Sequence, residues 1–136
     1  KTTRVPWHRD EILVVAAIGI KMGDENAAEF EIEKLSSLLR RCAVHPEIEL
    51  DEEDTKFRNV NGVERKYYDS LTARPEYPGK ATNGGKITHP IVEYMIEHQM
   101  EVFEAGIKIR QMLESDTYRS FVIPGQKFEA RNVGRR

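Results

Sequence analysis

The chain has 136 residues, enough for one domain of ordinary size and too few for two independently folded catalytic domains. Its 21 basic and 23 acidic side chains nearly cancel to −2, which excludes a uniformly basic nucleic-acid coat. The single cysteine, Cys42, excludes an internal disulfide framework and a multi-cysteine zinc site.

No apolar run approaches the ~18 residues of a membrane span, and no signal-peptide core opens the chain. The expectation is a soluble, cytoplasmic, mainly α protein: a compact single helical domain with long functional loops and no membrane partner.

In chain order, Ile12, Val15, Ala16, Gly19 and Met22 form a stripe at helical spacing. His8 takes the N-cap position with Glu11 three residues later, and Trp7 is placed to pack back as a hydrophobic staple. Imidazole is a poor cap, so fraying is expected there; Gly23-Asp24 ends the segment. A second helix is predicted from Ala28 to Cys42, with Phe30, Leu35, Leu38, Leu39 and Cys42 inward. Arg40 and Arg41 fall in its last turn, where the helix dipole favours cations. Residues 46–58, with Pro46 and an acidic run, read as a loop.

Asn61 with Glu64 at N3 starts a third helix that runs to Leu71. It presents Val63, Tyr67 and Leu71 inward and leaves Arg65 and Lys66 to solvent. From Thr72 to Thr88 the chain carries Pro75, Pro78, Gly79, Gly84 and Gly85 without periodicity. A structureless stretch of about 17 residues points to a functional surface. Thr88 then caps the longest helix, with Pro90 in its first turn. Ile91, Met95, His98, Val102, Ala105, Ile109 and Met112 repeat at spacings of four and three, broadened by Phe103 and Ile107. That is the core-facing side of a central helix, with His98 as a hydrogen-bonded core histidine; the alternative is a homodimer seam. From Tyr118 on, Phe121, Ile123 and Phe128 suit a short strand pair or an ordered tail. Residues 1–130 are expected to form the domain, with 131–136 the start of a linker.

Charge alternates along the chain. Residues 22–54 carry three basic against eleven acidic groups, and residues 55–91 reverse this with seven against three. Residues 119–136 hold five basic groups against one acidic. Folded together, such blocks give either a bipolar surface with a face for phosphate or ordinary solvated helix faces. The four histidines and Cys42 have no tight metal-ligand spacing, and no nucleophile elbow, P-loop or H-E-x-x-H string occurs. No catalytic residue, metal or cofactor is indicated. Gly84-Gly85-Lys86 is a turn whose backbone and lysine suit close approach to a duplex.

Three stretches in this order carry a resemblance: Leu35-Ser36-Ser37-Leu38-Leu39-Arg40-Arg41 with His45-Pro46; Lys56-Phe57-Arg58-Asn59-Val60-Asn61-Gly62-Val63; and Tyr77-Pro78-Gly79-Lys80-Ala81. Over roughly residues 7 to 113 the pattern resembles the sulfur-binding domains of type IV restriction endonucleases that act on phosphorothioate-modified DNA. In that family the domain usually precedes an HNH nuclease. The resemblance implies a non-catalytic reader of phosphorothioate-modified duplex DNA that directs a downstream nuclease. It implies a sulfur cavity of Tyr77, Pro78 and Ala81, with Arg41 at the modified phosphate and Arg40 beside it in a less defined role. It places the reader of flanking bases at Asn83, Gly84, Gly85 and Lys86. Arg58, Arg65, Lys80 and Lys86 are the expected contacts to ordinary phosphates. His8 departs from the Ser or Thr usual before the first helix.

The chemistry is coherent. Sulfur in place of a non-bridging oxygen keeps the negative charge but is larger and more polarizable, so a proline ring, an aromatic ring and a methyl group give it dispersion contacts. Oxygen in the same cavity is desolvated without a hydrogen bond, at a cost of ~1–3 kcal/mol. Two other classes compete. One is a reader of a methylated base, for which Tyr67, Tyr68 and Tyr77 are the local aromatic candidates. The other is a helical protein-interaction module using the 91–112 seam.

Overall fold

The computed structural model of the chain describes residues 5–21, 25–72, 94 and 97–120. They form a mainly helical domain with helices α1 (Arg9–Lys21), α2 (Glu25–Leu39), α3 (Val60–Thr72) and α4 (Gln99–Glu114). No strand occurs among the described residues. No described helix is long and apolar enough to cross a membrane.

The centre of the fold is α1, not the 91–112 segment. Every residue from Ile12 to Ile18 is at most 5% exposed, so this helix is buried all round. That is the signature of a helix with neighbours on all sides. It packs most extensively on α4, then on α3 and α2. The amphipathic seam of α4 (Val102, Ala105, Ile109 and Leu113) is the cover on that core. Gly106 lets the two helices meet closely: a Cβ there would lie 2.4 Å from Ala17 Cβ and 2.9 Å from the Leu13 carbonyl. Glycine costs about 1 kcal/mol in a helix interior, and here close packing offsets it.

The ends of the helices differ from the sequence reading in instructive ways. His8 caps α1 well: its Nδ1 accepts the Asp10 N–H at 2.9 Å, and Glu11 Oε1 accepts the His8 N–H at 2.9 Å. This is a reciprocal capping box with an imidazole nitrogen in the hydroxyl's place. The second helix ends at Leu39, and Cys42 lies beyond it at φ 62°, buried. Phe30 is 58% exposed, with the Lys34 ammonium over its ring. The buried stripe is Ala28, Ile32, Leu35 and Leu39, and Phe30 sits off it.

Helix α3 starts two residues earlier than predicted. Asn59, not Asn61, is the cap; its Oδ1 accepts the Gly62 N–H at 2.8 Å. Val63 and Tyr67 face the core and Leu71 is half-buried, but Lys66 is 6% exposed rather than solvated. His98 is not a core residue. Its φ of −135° and ψ of 49° interrupt the helical path, regular α4 begins at Gln99, and the imidazole is 41% exposed. It stacks on Tyr94, and Glu101 accepts from the Tyr94 hydroxyl while contacting His98 Nδ1 at 3.1 Å. The predicted Thr88 cap, the Thr72–Thr88 loop and the segment beyond residue 120 lie outside the described residues.

Candidate functional site

Beneath the N-terminal end of α1 the fold gathers an unusual number of charges. Arg9, Asp10 and Glu11 are each at most 1% exposed, and His45, Arg58, Lys66 and Asp69 are buried beside them. Buried charge is costly unless paired and hydrogen-bonded. Here it is both.

Arg58 is the hub. Its Nε donates to Glu11 Oε2 at 2.9 Å and its Nη2 to Glu11 Oε1 at 3.0 Å, a two-pronged pair. The remaining donors reach the carbonyls of Val5 at 3.2 Å and Pro6 at 3.0 Å. The guanidinium also lies over the Trp7 ring at 4.2 Å and the Phe57 ring at 4.7 Å. One side chain thus joins the N-terminal segment, α1 and the entry to α3. Its own backbone is left-handed at φ 46°, which costs an L-residue about 1–2 kcal/mol. The Ser36 hydroxyl donates to the Arg58 carbonyl at 2.8 Å and holds it there.

Glu11 has a second partner in His45, whose Nε2 lies 2.8 Å from Oε1. An ionised carboxylate only accepts, so Nε2 carries the hydrogen. Burial pushes the Glu11 carboxyl up, but the hydrogen bonds from His45 and Arg58 together outweigh it and hold the group below its ordinary value. Next to this, Asp10 Oδ1 accepts from Arg9 at 2.7 Å and Asp10 Oδ2 from the Tyr118 hydroxyl at 2.6 Å. Burial and that bond to Asp10 raise the Tyr118 phenol above its usual range. Burial lowers the Lys66 ammonium, and Asp69, 3.7 Å away, restores part of the shift. Lys66 also stands 5.5 Å over the Trp7 ring, on which Arg58 lies too.

The predicted DNA contacts separate by burial. Arg58 is buried with its donors committed inside the chain, so it is not a surface phosphate contact. Arg40 is half-buried, donating to the Phe57 carbonyl at 2.6 Å and to the Asp54 carbonyl, which commits it to the 54–57 turn. That turn is itself closed by Asp54 Oδ1, which accepts the N–H groups of Lys56 at 2.8 Å and Phe57 at 2.9 Å. Arg41, in the turn after α2, and Arg65, on α3, are exposed. Tyr77, Pro78, Lys80, Ala81, Asn83, Gly84, Gly85 and Lys86 lie outside the described residues.

Two of the three resembling stretches do come together. Ser36 and Arg40 bond the carbonyls of Arg58 and Phe57, and His45 and Arg58 share Glu11. Sequence reasoning missed the parts of this network that span the chain. Glu11 was visible only as a capping acid, and nothing in the sequence pairs position 11 with positions 45 and 58. Tyr118 and Asp69 carried no signal at all. Among the described residues, no group of three or more His, Cys, Asp or Glu is placed to hold a metal ion. No protein-family model, curated protein or solved structure matches the chain.

Proposed function

We propose that this chain is a DNA-binding module that recognises phosphorothioate-modified duplex DNA and directs a nuclease domain to it, with no catalytic step of its own. The observation that carries the reading is the convergence just described. The Leu35–Arg41/His45 stretch and the Lys56–Val63 stretch, joined by the 46–55 loop, pack together with Glu11 of α1 on one buried ionic hub. Two segments of a resemblance that also share a structural unit support each other.

In this reading the work divides between scaffold and surface. The hub holds the α2 terminus and the α3 entry in register. Arg41 and Arg65, both exposed, supply charge to phosphates. Tyr77, Pro78 and Ala81 supply the apolar contact to sulfur, with Lys80, Asn83, Gly84, Gly85 and Lys86 on the flanking nucleotides. Discrimination rests on desolvation: the modified and unmodified linkages carry the same charge, and only oxygen loses hydrogen bonds to water in an apolar cavity.

The test is binding to a short duplex with one Rp phosphorothioate against the identical unmodified duplex, at two salt concentrations. A preference of about tenfold or more that persists at high salt is expected, because the ~1–3 kcal/mol desolvation difference is not ionic. Equal, salt-sensitive binding to both overturns sulfur recognition. The second reading is a protein-interaction module that would use exposed apolar side chains such as Phe30, 58% exposed, and Met100, 65% exposed. That reading predicts concentration-dependent light scattering and no affinity for either duplex.

A further inference from the structure

We infer that Arg58 is a positioning residue that acts on DNA through Arg41 without touching DNA itself, an inference that rests on the DNA-binding reading above. Among the described residues no hub bond is made by the Arg41 side chain, yet Arg41 is bracketed by two residues that do bond there. On one side, the Arg40 guanidinium donates to the Phe57 carbonyl at 2.6 Å, immediately before Arg58. On the other, the His45 ring bonds Glu11 at 2.8 Å and lies 3.3 Å from Arg58 Nη2.

The backbone between those anchors is short and constrained. The Arg41 N–H donates to the Leu38 carbonyl at 3.1 Å, Cys42 turns the chain at φ 62°, and the His45 N–H returns to the Cys42 carbonyl at 3.1 Å. Where the Arg41 side chain leaves the surface is therefore set by the relative placement of residues 40 and 45. That placement is set by the fork of Arg58 on Glu11 and by Ser36 on the Arg58 carbonyl. Lysine carries the same charge but has three donors and no planar fork, so it cannot pair both Glu11 oxygens and reach two carbonyls at once, which takes four N–H groups. A phosphate contact tolerates lysine as a point charge; a positioning fork does not.

The experiment is a double-mutant cycle on the 136-residue chain, with Arg58→Lys, Arg41→Ala and the pair, binding a duplex with one Rp phosphorothioate. Far-UV circular dichroism, with affinities corrected to the folded fraction, removes any loss due to unfolding. Trp7, the one tryptophan, rests on Arg58, and its emission reports the hub directly. Arg58→Lys is expected to shift that emission and weaken binding about tenfold alone, but less than about twofold when Arg41 is already alanine.

Losses that multiply in the double variant, or an Arg58→Lys chain that binds as the unmutated one, overturn the inference. If Arg58→Lys does not fold, Arg40→Lys loosens the other anchor and enters the same cycle with the same expected non-additivity. An unmutated chain that binds no duplex overturns the DNA reading and this inference with it. That outcome is recognised before any variant is measured.

Discussion

The buried hub beneath α1 and the exposed surface around α2 and α3 both hold arginines, and they use them in opposite ways. At the α1 end Arg58 is 7% exposed and shares its donors among a carboxylate and two carbonyls. On the surface Arg41, just past α2, and Arg65, on α3, are exposed. Arg40 is intermediate, with a side chain 27% exposed and two carbonyl partners. The same residue type is scaffold or ligand contact according to burial, so a basic residue inside a motif does not by itself mark a phosphate site.

The contrast can be broken most severely at Glu11. Glu11→Ala leaves the Arg58 cation buried without its carboxylate, and a loss of about 3–5 kcal/mol is expected in denaturant unfolding. A loss below about 1 kcal/mol would show the hub to be solvated in solution. The pH dependence sharpens the point. Glu11 sits below its ordinary value in the folded state, so its stabilisation is present above the unfolded carboxylate pKa. It is lost as pH falls through the lower folded value. The thermal unfolding temperature is therefore expected to fall on acidification from the ordinary carboxylate range downward, and Glu11→Gln to flatten that part of the profile.

A smaller effect is expected at Arg40. Arg40→Ala removes two hydrogen bonds from a half-buried cation and should cost about 1–2 kcal/mol, measured in the same unfolding experiment. The smallest stability change belongs to Arg65→Ala, within about 0.5 kcal/mol of the unmutated chain. If Arg65 contacts phosphate, that variant lowers the slope of log K against log salt by about one. An unchanged slope places it off the DNA.

Local signals in the sequence carried over where the governing physics is local. Helical spacing identified α1, α2, α3 and α4, because a 3.6-residue repeat needs no partner to be read. The His8–Glu11 pair was found as a capping box from spacing alone, although the imidazole turned out to be a sound acceptor. Phe30 reads as inward by its hydrophobicity, but its angular position on α2 sets it off the buried stripe. Glu64 at N3 points to Asn61 as the cap, but the structure uses Asn59, and two asparagines two residues apart are indistinguishable to a pattern.

Of the site, the sequence determined the inventory: which cations exist, where the acidic and basic blocks fall, and which three stretches carry the resemblance. It also determined that no disulfide framework could share the stabilisation, since Cys42 stands alone. Only the tertiary structure decided which cations are spent internally. Arg58 and Glu11 lie 47 positions apart and His45 and Glu11 lie 34 apart, distances at which no periodicity carries information. Whether a guanidinium meets water or a buried carboxylate depends on how helices pack around α1. That packing is a property of the whole chain's apolar surface, not of any residue's neighbours in sequence.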